Sequence, residues 1–467
     1  MSRTDPPSLA QRLISGISGQ SLARAANALY AVALVPFFIG SWGVAGYGEW
    51  ISLVALASYG AYATFGFATT GAHDVIMAAC AGNMERAQTA YRVTINLSFY
   101  LALPILLAAS LIASFVPFDR ILNLSSMSNN EAVLLFCLVL LQLWMNTLRS
   151  TFSVVICAKG HYSWVFATEG VVRLAEMLLI VVALLAFDAR PVTVAAISCA
   201  TTVLDFLIIM RLRRGLYDWA RIDLRAWDRA WLKSLVRPSV GFWLSNLTTQ
   251  SIMLQGPRVA LGIVLGGEAV AIYSVFATVN RLTDQLVMLF SWPLQIEVAQ
   301  SSQRQEFGQA YRLVTFATQV AWLLFIGAAA GLMLLGPSLF PYWTAGKIEF
   351  DHGLMALFLV MAAAAQIGRV SSQVLLGANR MFEPSTKMFL AGCGSLGLGS
   401  LLAWAFGLPG MLVGGIAGEL ALSILAVSAM VRWLGQDLRR FALDMMDLST
   451  LRRWIRILAK RFVAPAA

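Results

Sequence analysis

Charged residues are scarce in this chain. Asp, Glu, Lys and Arg make up 12% of its 467 residues, whereas a soluble domain carries about a quarter. Hydrophobic residues make up 59% and the mean hydropathy is +0.73. They form unbroken blocks long enough to cross a membrane as helices, which takes about 20 residues each. A β-barrel is excluded, because its short alternating strands do not produce such blocks. We therefore expect an all-α polytopic membrane protein.

Cysteine and histidine are also rare. The five cysteines form no CxxC pair and mostly lie in apolar blocks, where cysteine behaves as a small hydrophobe. These cysteines are Cys80, Cys137, Cys157, Cys199 and Cys393. The three histidines, His73, His161 and His352, show no metal-ligand spacing. Neither a disulfide framework nor a metal site is expected, and no cofactor is implied.

Catalytic patterns are missing as well. The chain has no Walker A pattern, no Ser/His/Asp set and no paired carboxylates in a loop. The loops between the apolar blocks on the predicted outer face are too short to build an active site. We therefore expect a protein that is not an enzyme.

Basic residues exceed acidic ones, giving a formal net charge of +10. They are concentrated in alternate loops, which is typical of the cytoplasmic loops of a membrane protein rather than of a nucleic-acid binder. The basic segments are residues 1–21, 71–92, 158–164, 211–237, 293–312, 379–387 and the tail. The alternation predicts about twelve transmembrane helices, with both termini cytoplasmic.

Two halves of the chain resemble each other. Ala90-Tyr91-Arg92 returns as Ala310-Tyr311-Arg312, an offset of 312 − 92 = 220. At the same offset Pro117 matches Pro337, Arg149 matches Arg369 and Ala158 matches Ala378. Matches in one register indicate tandem repeats. Since six helices return the chain to its starting side, we expect two parallel six-helix repeats around a central cavity.

These patterns predict four regions. They are an N-terminal six-helix bundle (1–210), a basic cytoplasmic linker (211–237), a C-terminal bundle (238–434) and a basic tail (435–467). In the linker and in the tail, tryptophans are interleaved with Arg and Lys. Both are therefore predicted to be amphipathic helices on the inner leaflet. Three further boundaries are predicted: a polar connection at 71–92, a seventh helix starting near Ser239, and a ninth ending at Gly336-Pro337.

Charged residues inside the spans are the main functional signal, since each costs several kcal/mol unless it faces protein or water. The arginines are Arg24, Arg149, Arg173, Arg258, Arg281 and Arg369. The acids are Glu169, Glu176, Asp205, Asp284 and Glu419. A cavity with this many arginines favours an anionic substrate, because guanidinium binds phosphate oxygens as a fork.

Structural roles compete with this interpretation. Glu169, Arg173 and Glu176 have i, i+4, i+7 spacing and can neutralise one another on one helix face. Arg281 and Asp284 can pair in the same way. Arginines toward the cytoplasmic helix ends can extend to the interface; these are Arg24, Arg149 and Arg369.

Arg258 is the strongest candidate because it follows Gly256-Pro257, which interrupts helical hydrogen bonding. We predict that Arg258, with Arg24 and Arg281, binds substrate in a central cavity. The other predicted substrate-binding residues are Arg149, Arg369, Asn27, Asn246, Gln250 and Asn280. The predicted ion-coupling residues are Glu419, Asp284 and Glu169.

The chain resembles the polysaccharide-exporter family, the Wzx-type flippases of O-antigen and lipid-linked oligosaccharides. The resemblance depends on twelve helices in two repeats, a glycine-bounded turn (Trp42 to Trp50, WGVAGYGEW) and Phe65-Gly66-Phe67 at the end of the second helix. It departs from the family at Gly71-Ala72-His73-Asp74, where the family often has a basic residue.

The resemblance implies a function and a location. It implies a flippase that moves an undecaprenyl-pyrophosphate-linked oligosaccharide across the bacterial cytoplasmic membrane by alternating access, for surface polysaccharide assembly. It also implies a polysaccharide polymerase and a chain-length regulator as partners, and no nucleic acid. The alternative is a multidrug or cation-coupled small-molecule exporter of the same superfamily, for which an acid-dominated cavity is expected.

Overall fold

The computed structural model describes residues 9–214, 216, 220, 222–281, 307–378 and 380–447. These residues are helical or form turns and connections, and none of them is in a strand. The all-α fold is therefore confirmed. Among them, nine helices are long and apolar enough to span a membrane.

The first of these nine spans, Leu22–Tyr62, contains 41 residues, about twice the length that a bilayer requires. It is interrupted at Gly43, whose φ of 74° and ψ of 175° are not helical. Glycine tolerates this conformation because it has no Cβ. The span therefore corresponds to the first two predicted helices, with the break at the predicted glycine-bounded turn.

The helices of the first half follow the predicted order with one exception. They are α1 (Leu9–Ser58), α2 (Phe67–Cys80), α3 (Met84–Leu97), α4 (Leu103–Ala113), α5 (Phe118–Ile121), α6 (Asn129–Ala158), α7 (Tyr162–Phe187) and α8 (Pro191–Leu212). A 3₁₀ turn, Tyr59–Tyr62, extends α1, and a π-helical stretch, Ser98–Ala102, joins α3 to α4.

The exception is the connection predicted at 71–92, which is mostly helical: α2 occupies residues 71–80 and α3 occupies residues 84–92. The apolar residues of α2 have helical spacing and its buried face includes Gly71, Val75 and Ala78. Gly71 lies directly against Thr94 of α3. The polar side chains of the segment concealed this pattern, and the segment is not the polar loop that the sequence predicted.

The linker also differs from the prediction. Residues 222–228 are not helical, so the predicted surface helix does not cover 211–237. The segment is held on the first bundle by protein contacts, since the Asn96 side chain donates to the carbonyl of Ala226. Arg213 donates to the Tyr91 hydroxyl at 2.8 Å. The next helix, α9, begins at Arg229 rather than near Ser239.

The second half begins with a continuous helix whose hydrogen bonding changes from α to π and back to α. Helix α9 (Arg229–Asn246) continues as a nine-residue π-helical stretch, Leu247–Gln255, and then as α10 (Gly256–Val264). Pro257 lies in the first turn of α10, where its missing N–H costs little. The predicted interruption at Gly256-Pro257 is thus a change from π to α hydrogen bonding.

The remaining helices follow in order. They are α11 (267–281), α12 (Phe307–Trp343), α13 (His352–Gly377), α14 (Phe382–Phe406), α15 (Leu408–Trp433) and α16 (Leu438–Met446). Helix α16 is the described part of the predicted basic tail. The tail's tryptophan, Trp454, lies outside the described residues.

The predicted stop at Gly336-Pro337 was wrong, because α12 continues through both residues to Trp343. Proline is tolerated inside membrane helices where neighbouring groups satisfy the freed backbone. Gly336 makes room for the ring of Phe350, which would lie 2.5 Å from a Cβ at this position. The glycine therefore serves packing rather than termination.

Large apolar side chains point outward on several spans. Leu107, Leu185, Leu334 and Leu401 are between 59% and 77% exposed. Exposed apolar bands of this kind mark surfaces that face another apolar phase. They fit the multi-span membrane architecture.

The chain divides into two compact units. The first contains Met1–Trp243 together with Gly266–Ala271, and the second contains Leu244–Leu265 and Ile272–Ala467. In the first unit, a Cβ on Gly48 would overlap the carbonyl oxygen of Gly267. The short segment 266–271 therefore packs into a first unit that is otherwise built from the first half.

Arg149 and Arg369, which the repeat pairs, lie at similar positions in their helices. Arg149 is 158 − 149 = 9 residues from the end of α6, and Arg369 is 377 − 369 = 8 residues from the end of α13. Each side chain lines a pocket in its own unit.

Candidate functional site

The second unit contains a cavity of about 350 Å³, which is within the range of small-molecule pockets. Its charged and amide-bearing lining residues are Gln250, Asn280, Arg281, Arg369, Gln373 and Glu419. Its apolar and aromatic wall includes Met253, Tyr273, Phe358 and Met361. Five of the six polar residues belong to the predicted site, and Gln373 is an addition.

Close packing of α13 against α15 brings Arg369 and Glu419 to the same cavity. A Cβ on Gly368 would collide with the backbone of Ser423. The Ser423 hydroxyl donates to the carbonyl of Ala364 at 2.7 Å and accepts from the amide of Gly368 at 3.1 Å. Because Arg369 follows Gly368, this contact fixes where its side chain leaves the helix.

The π-helical stretch and α11 also line the cavity. Gln250 lies within the stretch Leu247–Gln255, and Asn280 and Arg281 end the described part of α11. The π-helical stretch packs against α14, where a Cβ on Gly392 would lie 3.0 Å from Thr248. Among the residues that the structure describes, the cavity carries two guanidinium groups and one carboxylate, an excess of one positive charge.

Arg258, the strongest candidate from sequence, is half-buried on α10. Its Nη1 donates to Gln255 Oε1 at 2.8 Å. The set of described residues that line the cavity does not include it. Its predicted part in substrate binding therefore stays a prediction.

The first unit contains a smaller polar pocket of about 180 Å³. It is lined by Asn146, Arg149, Glu169, Val172, Arg173, Glu176, Thr202 and Asp205. Arg149 Nε lies 2.7 Å from Asp205 Oδ2, and Arg149 Nη1 lies 3.2 Å from Glu169 Oε2. Arg149 is 8% exposed and Asp205 is 7% exposed, so a nearly buried ion pair joins α6 to α8, and the half-buried Glu169 extends it to α7.

The network continues to α1. Asn27 donates to Glu169 Oε1 at 3.3 Å and accepts from Arg173 Nε at 3.1 Å. Arg173 also pairs with Glu176 at 3.1 Å and lies 4.7 Å above the ring of Tyr30. Tyr30 in turn donates to Glu176 at 2.9 Å.

The alternative that Glu169, Arg173 and Glu176 neutralise one another on one helix face was therefore partly right. Arg173 and Glu176 do neutralise each other on α7, whereas Glu169 pairs with Arg149 of α6. Arg149 does not extend to the interface, because its side chain is engaged inside the bundle. The described lining residues include two guanidinium groups and three carboxylates, an excess of one negative charge.

The structure thus distributes the predicted residues between two places. Gln250, Asn280, Arg281, Arg369 and Glu419 line the cavity of the second unit, whereas Asn27, Arg149 and Glu169 form the network of the first. Arg24 is exposed on α1, and Asn246 is half-buried at the end of α9. Asp284 lies outside the described residues.

Sequence reasoning did not single out Tyr273 and Thr249, which also line the cavity. It named no partner for Asp205, although Asp205 belongs to the network. A clear signal existed for Asp205, because an acid in the last third of a span needs a partner. No signal existed for Tyr273, since an aromatic residue in a span is more often packing.

No protein-family model matches the chain, and no curated protein matches it significantly. Solved structures do match. A multidrug resistance MATE family transporter of the MOP superfamily in an inward-facing conformation aligns with a TM-score of 0.68 and 16% identity. The alignment covers 94% of this chain and 99% of the other.

Two other structures of the superfamily align similarly. An outward-facing MATE family transporter gives a TM-score of 0.64 at 16% identity, covering 96% of this chain and 100% of the other. A MOP superfamily transporter from Pyrococcus furiosus, whose binding pocket of reversed polarity suggests a different function, gives 0.63 at 16% identity. That alignment covers 91% of this chain and 94% of the other. The chain therefore has the fold of MOP superfamily transporters.

Proposed function

We propose that this protein is a flippase that moves an undecaprenyl-diphosphate-linked oligosaccharide across the bacterial cytoplasmic membrane by alternating access. The observation that carries the proposal is the cavity of the second unit, where Arg281 and Arg369 outnumber Glu419. Two guanidinium groups suit a diphosphate, because each presents a planar pair of donors to phosphate oxygens. Amide groups beside them, on Gln250 and Gln373, add neutral donors.

The fold supports transport as such. Membrane proteins that share this architecture over most of their length include multidrug transporters. Arg281 and Arg369 would repel an organic cation. Their presence therefore distinguishes this cavity from a site for organic cations. The chemistry of the lining residues therefore favours an anionic head group within a transporter fold.

A multidrug or cation-coupled exporter is the second candidate function. One observation favours it: the pocket of the first unit contains three carboxylates and two guanidinium groups. An excess of negative charge suits a cation. This candidate predicts export of organic cations and no dependence on Arg281 or Arg369.

The first prediction compares arginine variants in proteoliposomes containing the full chain and an undecaprenyl-diphosphate-linked oligosaccharide. Arg369→Lys should slow translocation about tenfold because lysine lacks the planar fork. Arg369→Ala should slow it about a hundredfold, as expected when one partner of a charged contact is removed. The measurement is the access of a membrane-impermeant lectin to the translocated glycan.

Arg258→Lys and Arg258→Ala belong in the same series. If Arg258 also binds the diphosphate, both should impair surface-glycan export at normal membrane levels, and alanine should have the larger effect. Arg120 is the matched control, since it is exposed on the short helix α5 and its replacement by Lys or Ala should change nothing. Unchanged lipid translocation by Arg369→Ala, with active export of an organic cation, would favour the second candidate.

A further inference from the structure

The polar pocket of the first unit is a separate cavity with its own chemistry. Of its eight lining residues only Val172 is apolar. Its volume of about 180 Å³ lies below the roughly 300–1,000 Å³ of pockets that bind drug-sized ligands. The pocket has room for one small polar ring rather than for a drug or an oligosaccharide.

One atom of the pocket, Asp205 Oδ1, lacks a hydrogen-bond donor among the residues that the structure describes. Asp205 is 7% exposed, and its Oδ2 is engaged by Arg149. Its Oδ1 is buried and accepts no hydrogen bond from any residue that the structure describes. A buried polar atom without a protein partner calls for a partner of another kind. A ligand that donates a hydrogen bond would satisfy it.

The charges decide which ligand fits. Three carboxylates against two guanidinium groups repel a diphosphate. A divalent metal is also disfavoured, since the described residues contain no group of three His, Cys, Asp or Glu side chains arranged to hold one. A hydroxyl group both donates and accepts, and the pocket offers carboxylate acceptors beside guanidinium and amide donors.

We propose that this pocket binds one sugar ring of the transported glycan, with Asp205 accepting from a ring hydroxyl. The proposal depends on the proposed function, because the ring belongs to the glycan of the transported lipid. Charge-assisted hydrogen bonds from a hydroxyl to Asp205 and from Arg173 to a hydroxyl would fix the orientation of the ring. The pocket then determines which sugar the protein accepts.

The test measures binding to the full chain in lipid nanodiscs. The probes are undecaprenyl diphosphate without sugar and four derivatives bearing glucose, galactose, mannose or N-acetylglucosamine. At least one derivative should bind about tenfold more tightly than the sugar-free lipid, the size expected for a hydrogen bond to a charged group. Asp205→Asn should abolish this difference and leave binding of the sugar-free lipid unchanged.

A second variant covers the case in which Asp205→Asn fails to fold. Asn146→Leu places an apolar side chain at the exposed edge of the pocket and leaves the pair of Arg149 with Asp205 intact. It should also abolish the sugar-dependent difference. As a counterpart, Arg369→Ala should weaken the binding of sugar-free and sugar-bearing lipids alike.

The outcomes separate the two proposals. If the sugar-free lipid binds and Arg369→Ala weakens it, but no sugar tightens binding, the sugar pocket is refuted and the proposed function stands. If Asp205→Asn weakens all five lipids equally, or shifts the pH dependence of transport without changing sugar preference, the pocket holds a proton or has a structural role. If none of the lipids binds, the proposed function itself fails.

Discussion

Arg149→Ala should lower the free energy of unfolding by about 3–5 kcal/mol, the range for breaking a buried ion pair from one side. The variant leaves two carboxylates, Asp205 and Glu169, without the guanidinium that lies within 3.2 Å of both. It also removes the hydrogen bond to the carbonyl of Val165. Thermal unfolding of the purified protein and its abundance in the membrane both measure the effect.

A double variant tests the cause. Arg149→Ala combined with Asp205→Asn should recover part of the lost stability, because one uncompensated charge has been neutralised. Arg120→Ala is the control for the loss of a positive charge and should leave stability unchanged. Full stability of Arg149→Ala with lost transport would instead place Arg149 in the substrate site, as the sequence predicted.

Glu49→Ala should cost about 3 kcal/mol or more, because several hydrogen bonds to a buried carboxylate are removed together. Glu49 is 1% exposed and accepts from the backbone N–H and the hydroxyl of both Ser125 and Ser126, at 2.6–3.2 Å. These contacts hold the connection between α5 and α6 against α1. The variant removes the acceptor of four donors, the N–H and hydroxyl groups of Ser125 and Ser126, both of which are exposed.

The matched control for Glu49 is Glu131. Glu131→Gln removes the capping-box charge at the start of α6 and the pairing with Arg190, and should cost about 1 kcal/mol. The loss of stability caused by Glu49→Gln should lie between the losses caused by Glu49→Ala and Glu131→Gln. Glutamine keeps one acceptor oxygen but turns its NH₂ group toward donors. A melting temperature of Glu49→Ala that equals the wild type would show that water replaces the carboxylate.

The helices themselves could be predicted from the sequence because their signals are local. Ser128 and Glu131 form a capping box that starts α6. Length and hydropathy identify the spans in the same way. Arg149 and Arg369, which the common offset of 220 pairs, lie nine and eight residues from the ends of their helices, and the superposition of these helices stays a prediction.

The partners of the charges could not be predicted in this way. Helical spacing shows which residues share a face, but not what lies opposite that face. Arg149 appeared able to extend to the interface, yet it pairs with Asp205 of a different helix. Glu49 appeared only as part of a glycine-bounded turn, because its serine partners lie 76 and 77 residues further along the chain.

The packing of residues 266–271 into the first unit has a consequence for biosynthesis. The ribosome completes residues 1–243 before it reaches Gly267, whose carbonyl oxygen lies where a side chain on Gly48 would have to be. The first unit is therefore incomplete when its own half has been translated. Nascent chains arrested after residue 243 should be cleaved by protease faster than chains in which 266–271 have left the ribosome, and equal resistance would contradict this order of assembly.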